Sequence, residues 1–297
     1  MSKSKLGLVG LCFVVGANLA VATEGGGSVY PLGVENFSCC ALPPPGLYGM
    51  VWGQSYAADK IRGNSGAVAT ASGFKVTSSA VVPRVVWVTP YTVADAALGF
   101  HAILPIVDLK VENAPPGSQH KTGIGDTTVG VALGWHKGAN LHSILGLDVY
   151  VPTGSFDKSD VVNIGRNYWA IQPLAGISYI DRDGLNADLK AMWTFNRRNA
   201  ATDYQSGQEV IVDYALGWAV GANWTLGLGG YAYQQVSNDS RNGRTVADNK
   251  GRAFAIGPSV RYDSGKGWLV TAKYQAESAV RNRADGGAFW VKAVLPF

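Results

Sequence analysis

The amino-acid sequence predicts a closed, antiparallel transmembrane β-barrel of about 12 strands, an all-β fold. Segments of about ten residues alternate apolar and polar side chains, which is the pattern of a membrane-spanning strand. The connections between these segments alternate in length, and after residue 22 no apolar run reaches the ~18 residues of a spanning helix. Charged residues make up 15% of the 297 residues, whereas soluble domains contain roughly 25%.

The N-terminus has the organisation of a cleavable signal peptide. Two early lysines precede an apolar run that ends at Leu19, and Ala20-Val21-Ala22 provides the small residues that a signal peptidase requires. The run is shorter than the ~20 residues of a spanning helix. We therefore predict a signal peptide over residues 1–22, cleavage after Ala22 and export to the bacterial outer membrane. Without the signal, the chain is nearly neutral and lacks a basic patch, so no nucleic-acid partner is predicted.

A Gly- and Pro-rich segment, residues 23–46, precedes the first predicted strand. It is expected either to enter the barrel lumen as a plug or to lie loose in the periplasm. The segment contains Cys39 and Cys40, which are adjacent, and a disulfide between neighbours closes a strained ring. Two free thiols are one interpretation, and a vicinal disulfide or metal clip in the oxidising periplasm is the other.

The barrel itself is predicted over residues 47–297. Its last segment alternates most clearly, because Phe289 and Val291 share one face while Trp290 and Lys292 share the other. Backbone groups in hydrocarbon must all be paired, so the last strand is expected to pair with the first. The predicted strands are 47–56, 81–91, 97–109, 123–135, 141–152, 167–179, 185–196, 208–220, 224–235, 252–263, 267–277 and 287–297.

Long and short connections are predicted to alternate strictly after the third strand. The short turns are residues 136–140, 181–184, 221–223 and 263–266. The long polar connections are residues 57–80, 111–122, 153–166, 197–207 and 237–251. This pattern predicts periplasmic turns at one rim and external loops at the other. The charged side chains of the long loops are expected either to be solvated or to bind lipopolysaccharide phosphates next to the outer-membrane lipid.

Large aromatic side chains recur at the strand ends beside the short turns, on the apolar face of each strand. This position predicts an aromatic girdle at one membrane interface. Aromatic residues that belong to an ordinary β core are the alternative. The predicted girdle residues are Trp135, Tyr179, Trp218, Trp224, Tyr262, Trp268 and Phe297.

Charged residues of both signs occupy the opposite, inward face of the predicted strands. They are expected either to line a narrow hydrated path or to pair across the lumen and fill it, as in small barrels. The predicted pore-lining residues are Asp126, Asp148, Asp188, Lys190, Glu209, Asp213, Arg261, Lys273, Glu277 and Lys292.

No catalytic, cofactor-binding or metal-binding residue is predicted. A lipid hydrolase in the barrel wall needs a serine, a histidine and an orienting polar group within hydrogen-bond reach. His142 and Ser143 are neighbours on a predicted strand, so their side chains point to opposite faces and cannot form a dyad. A structural barrel whose loops bind a surface partner is the main alternative to a channel. The sequence makes no prediction of the oligomeric state.

Several motifs resemble those of one known family. They include Thr122-Gly123-Ile124-Gly125-Asp126, Val151-Pro152-Thr153-Gly154 and the run from Thr202 to Glu209. With these motifs the chain resembles the outer-membrane proteins described as involved in the meta-pathway of phenol degradation. The resemblance implies an outer-membrane barrel for passive uptake of small hydrophobic or aromatic solutes linked to catabolic pathways. Cys39-Cys40 departs from the family pattern, in which small or polar residues are expected.

Overall fold

The computed structural model describes residues 22–70, 72–114 and 117–296. These residues form strands almost throughout, with one short 3-10 turn at Glu24–Gly26. The strands are β1 Gly46–Arg62, β2 Lys75–Val93, β3 Ala96–Ile103, β4 Ile106–Ala114, β5 Gly117–Ile124, β6 Thr127–Lys137, β7 Leu141–Val151, β8 Ala170–Ile180, β9 Leu185–Asn196, β10 Tyr204–Gln205, β11 Glu209–Val220, β12 Trp224–Gln235, β13 Asp239–Arg241, β14 Arg244–Val246, β15 Arg252–Asp263, β16 Leu269–Arg281 and β17 Arg283–Pro296.

Twelve of these strands close into an antiparallel barrel, as the sequence predicts. The ring closes at β1, which pairs with β2 on one side and with the last strand, β17, on the other. This closure leaves no open edge in the ring, which is what a lipid environment demands of a sheet. The ring strands β3 and β6 are connected by a hairpin of two further strands, β4 and β5. β4 follows β3 after a break at Leu104-Pro105, and β5 precedes β6 with a break at Gly125-Asp126.

The predicted alternation of faces is confirmed by the exposure of side chains along the barrel wall. On β8, Ile171 is 38% exposed and the next residue, Gln172, is buried; on β9, Leu189 is 48% exposed and the next residue, Lys190, is buried. Because adjacent side chains of a strand point to opposite faces, the apolar residues face outwards and the polar residues face the lumen. Within the described residues, no helix has the length and apolar character needed to cross a bilayer.

Two predicted long connections are wrong in their extent. The predicted loop 111–122 is a hairpin, because β4 runs to Ala114 and β5 begins at Gly117. The predicted loop 57–80 shrinks to residues 63–74, because β1 and β2 are longer than expected. Both errors have one cause: the outer faces of these strand extensions carry polar side chains, which the sequence pattern attributes to loops. The predicted strict alternation of long and short connections therefore fails at two places where a long connection would be expected. These are the tight β4–β5 hairpin and the single residue Asn282 between β16 and β17.

The barrel has two unlike ends, which we call the short-turn rim and the loop rim. The short-turn rim contains the connections 94–95, 138–140, 181–184, 221–223 and 264–268. The loop rim contains the connections 63–74, 152–169, 197–208 and 236–251. In the last two of these, β10, β13 and β14 form a small separate sheet. The predicted signal residues 1–21 and the girdle residue Phe297 lie outside the described residues.

Residues 22–46, which we call the N-terminal segment, run through the lumen from the loop rim to the short-turn rim. At the loop rim, Ala22 N donates to Asn282 O at 2.6 Å. Midway, Glu35 N donates to Asp213 on β11, and Cys39 N donates to Asp188 on β9. At the short-turn rim, Gly46 enters the sheet as the first residue of β1.

Candidate functional site

The predicted pore-lining residues lie on the inner wall around the N-terminal segment. Two of them, Asp126 and Glu277, are half-buried. The others are buried: Asp148, Asp188, Lys190, Glu209, Asp213, Arg261, Lys273 and Lys292. Seven of the ten contact the N-terminal segment directly, namely Asp188, Lys190, Glu209, Asp213, Arg261, Lys273 and Lys292. The charges of the wall therefore hold this segment rather than pairing mainly across an empty lumen.

Asp213 on β11 is the point at which the segment is most firmly held. Its carboxylate accepts the hydroxyl of Tyr30 at 2.6 Å and the backbone N–H groups of Gly33 and Glu35 at 3.2 and 3.0 Å. Hydrogen bonds to an ionised acceptor are stronger than neutral ones. A single wall carboxylate thus fixes three positions along six residues of the segment.

Glu35 of the segment gathers cations from three parts of the wall. Its carboxylate lies 3.1 Å from Lys190 Nζ, 3.7 Å from Lys292 Nζ and 3.9 Å from Arg84 Nη1. Its backbone carbonyl accepts a hydrogen bond from Lys273. Burying charges is costly unless they are paired, and here one carboxylate compensates several buried cations.

The sequence reasoning missed Glu35 and Arg84. A signal for Glu35 was present, because it is the only charged residue between positions 25 and 46. Arg84 lies on β2, where apolar and polar residues alternate poorly in the sequence. Its neighbours Pro83 and Val85 are both exposed on the outer face, so the side chain of Arg84 points inwards. In the folded barrel, Arg84 also contacts His101, which pairs with Asp148 at 3.0 Å.

Cys39 and Cys40 both belong to the part of the segment that lies against β8 and β9. Their backbone N–H groups donate to Asp188 and Ser178. Both thiols are free, and their sulfur atoms are 2.6 Å apart. Among the described residues, no group of three or more His, Cys, Asp and Glu side chains could hold a metal ion.

A cavity of about 910 Å³ separates the N-terminal segment from the wall formed by β1, β2, β3 and β4. Near the loop rim, one part of its lining is a hydrophobic cluster of Ile61, Phe74, Val76, Val111 and Val161, which we call the apolar cup. The loops add charged groups to the lining there, such as Lys158 and Arg241. Deeper in the barrel the lining becomes polar, where the cavity reaches the charged groups around Glu35. The volume lies within the ~300–1,000 Å³ typical of small-molecule sites.

The polarity of the two faces inverts where β4 and β5 extend beyond the ring. On the outer face of this hairpin, Lys110 pairs with Glu112 at 2.8 Å and His120 pairs with Asp108 at 2.7 Å. On its inner face, apolar side chains such as Leu109 line the cavity. Charged groups suit water rather than lipid. β4 therefore combines a charged, water-exposed outer face with an apolar inner face. The inner face of β5 instead carries Gln119 and Lys121, which bind Asp160 of the connection 152–169.

The connection 152–169 closes the cup along the edge of β5. Asp160 accepts hydrogen bonds from Gln119 Nε2 at 2.6 Å and from Lys121. Val162 N donates to Gln119 Oε1 at 2.8 Å. At the base, Asp126 accepts the backbone N–H groups of Gly154 and Arg166 at 2.9 and 2.7 Å, which makes this predicted pore-lining residue an anchor for the loop.

The described aromatic residues at the short-turn rim have outward-facing side chains. Tyr262 lies between Trp224 and Trp268, with ring centroids 4.8 and 5.4 Å apart. Trp218 on β11 is 58% exposed. The remaining described members of the predicted set, Trp135 and Tyr179, are half-buried. A band of touching aromatic rings thus follows one rim over neighbouring strands.

His142 pairs with a second histidine rather than with Ser143. His142 Nδ1 lies 2.7 Å from His136 Nδ1 on the adjacent strand. Ser143 is opposite Trp135 in the same ladder, so it shares the face of Trp135 and not that of His142.

Comparison with known proteins agrees with this geometry. The model of the family described as "Putative MetA-pathway of phenol degradation" matches residues 58–293. The structure is similar to that of the COG4313 outer membrane channel from Pseudomonas putida, with a TM-score of 0.76, 19% identity, and coverage of 88% of this chain and 98% of that one. It is also similar to the transport unit of the autotransporter AIDA-I from Escherichia coli, with a TM-score of 0.52, 11% identity, and coverage of 85% and 90%. No curated protein matches the chain.

Proposed function

The chain belongs to the family described as "Putative MetA-pathway of phenol degradation", and from this premise we propose that it is an outer-membrane channel for passive uptake of small hydrophobic or aromatic compounds. The proposal includes export by a signal peptide that is removed after Ala22, and an N-terminal segment that acts as a lumen plug in front of the barrel domain, residues 47–297. The family name supports a link to the catabolism of aromatic compounds.

The apolar cup at the loop rim carries the proposal. The cluster around Phe74, Val76 and Val111 makes part of its inner wall apolar, the outer face of the β4–β5 hairpin is charged, and its cavity of about 910 Å³ leads to the N-terminal segment. Burial of apolar surface is favourable by roughly 25 cal/mol per Å². Transfer of a hydrophobic solute from water to this cup therefore lowers the free energy of the solute, and this transfer is the capture step that uptake from a dilute solution requires.

The plug makes the path gated rather than permanently open. A solute that leaves the cup meets Tyr30, Glu35 and their partners on the wall, so passage requires a shift of the N-terminal segment. We assign this holding role to the pore-lining charges, which would also line a hydrated path once the segment moves. The aromatic band is assigned to the membrane interface. Loop-rim charges are assigned to lipopolysaccharide phosphates.

A matched pair of variants on β2 tests the capture step. Val76→Glu puts a charge inside the cup, whereas Thr77→Glu puts the same charge on the outer face of the same strand. Uptake of a small aromatic compound is measured in a deletion strain that carries each variant. We expect Val76→Glu to lower uptake about tenfold, because an uncompensated charge opposes an apolar solute by at least ~1.4 kcal/mol. Thr77→Glu should resemble the unaltered protein.

The deletion strain distinguishes a channel from its alternatives. Equal uptake with and without the gene would contradict the proposal and favour a structural barrel whose loops bind a surface partner. Conductance of the purified protein in planar bilayers provides an independent measurement, and hydrolysis of added phospholipid would instead indicate an enzyme.

A further inference from the structure

Asp239 is a buried carboxylate at the loop rim that has many donors but no cation. It is 1% exposed. It accepts hydrogen bonds from the Tyr204 hydroxyl at 2.6 Å, and from Gly207 N and Gln235 Nε2 at 2.7 Å each. In the described part of the chain, no Lys, Arg or His forms an ion pair with it. A buried charge of this kind normally has a compensating partner.

The backbone nitrogen of Thr23 already lies against this carboxylate. Thr23 N is 3.3 Å from Asp239 Oδ2, and Thr23 is itself 1% exposed. As an amide, this nitrogen is neutral, and like Asn249 Nδ2 at 2.7 Å it gives Asp239 a hydrogen bond but no positive charge. As the first residue of a processed chain, Thr23 would present an ammonium group at the same place.

The backbone conformation of Thr23 is a second, independent sign that the chain is cleaved immediately before this residue. Its φ angle is 62°, a conformation that is a genuine outlier for a β-branched residue. The strain arises from the carbonyl group of the preceding residue, so it exists only while the Ala22–Thr23 peptide bond is intact. Hydrolysis of that bond removes the strain.

We propose that Asp239 is the binding site for the α-ammonium group that signal-peptide cleavage creates on Thr23. The signal peptidase hydrolyses the Ala22–Thr23 amide with one water molecule, which leaves a carboxylate on Ala22 and an ammonium group on Thr23. The new cation forms an ion pair with Asp239 in place of the neutral amide contact. This step requires cleavage after Ala22 and does not depend on any transported solute.

The ion pair completes the attachment of the plug at the loop rim. The next residue, Glu24, is already held there: its N–H donates to Ser206 Oγ at 3.0 Å, and its side chain accepts Asn199 Nδ2 at 2.9 Å. Processing thereby removes the contact of Ala22 N with Asn282 O and creates an ion pair at Thr23 in its place. Cleavage precedes folding, because Ala22 and Thr23 are both buried in the folded barrel, and the new ammonium group is enclosed when the segment folds into the lumen.

Chemical labelling of the α-amine tests the proposal. The folded protein in detergent is treated with an amine-reactive acetylating reagent, and labelling of the N-terminal peptide is followed by mass spectrometry. We expect labelling at Thr23 to be about tenfold faster in Asp239→Asn than in the unaltered protein, because an ion-paired, buried amine is protected. Asp248→Asn is the matched control, since Asp248 is an exposed carboxylate of the same loop.

Two further measurements make the test decisive. N-terminal sequencing of the outer-membrane protein must give Thr23 as the first residue, and any other first residue overturns the proposal. Insertion of Gly-Ser between Ala22 and Thr23 displaces the amine while Asp239 stays intact, so rapid labelling is expected even if Asp239→Asn folds poorly. Equal labelling rates in the unaltered protein and in both variants would likewise overturn it.

Discussion

Glu35 and Lys190 meet inside the barrel, where Glu35 Oε1 lies 3.1 Å from Lys190 Nζ. One residue belongs to the N-terminal segment and the other to β9, so the ion pair joins the plug to the wall. The Lys190 ammonium also lies 5.8 Å from the centre of the Tyr30 ring. The N-terminal segment is therefore held by charge as well as by hydrogen bonds, and its displacement would cost electrostatic free energy.

Replacement of Glu35 by Gln should loosen the plug. The variant leaves Lys190 and Lys292 without their shared anion, and removal of one partner from a buried pair costs on the order of 3 kcal/mol. We expect channel openings in planar bilayers to become at least about tenfold more frequent. Glu112→Gln, on the outer face of β4, is the control and should leave the opening frequency unchanged. An unchanged frequency in both variants would show that the plug is held by other contacts.

The aromatic band should stabilise the barrel as a coupled unit. Tyr262→Ala removes two ring contacts at once, to Trp224 and Trp268, and aromatic pairs contribute about 0.5–1.5 kcal/mol each. We expect a loss of about 1–3 kcal/mol in the free energy of unfolding, measured by denaturant titration in lipid vesicles. A double-mutant cycle with Trp224→Ala should give non-additive losses. Additive losses would mean that the rings act separately.

The β4–β5 hairpin should lie outside the lipid. In a background with Cys39→Ser and Cys40→Ser, a cysteine at Glu112 is expected to react with a membrane-impermeant maleimide added to whole cells. The matched position is Ile106, which is 47% exposed on the same face of β4 but at the base of the hairpin. A cysteine there should remain unlabelled, because lipid covers it. Equal labelling at both positions would contradict the assignment of the hairpin to the water phase.

The parity of the strands could be predicted because it is a local property. Gln172 and Lys190 face inwards and Ile171 and Leu189 outwards, and each direction follows from a period of two residues along the chain. The motif resemblance likewise required only short runs of sequence, and the family match confirms it. The polar stretch around Lys110 defeated the same reasoning, since charged side chains on a strand above the lipid have the composition of a loop.

The sequence by itself determined that this chain is a membrane barrel and, on the strands with clear alternation, which side chains face inwards. These properties depend on neighbours along the chain and on the requirement that backbone groups in lipid be paired. Only the tertiary structure decided what the inward charges do. Glu35 lies 155 residues from Lys190 in the sequence, and no local pattern encodes such a contact. Closure of the ring brings the two side chains together, and it also places Thr23 beside Asp239.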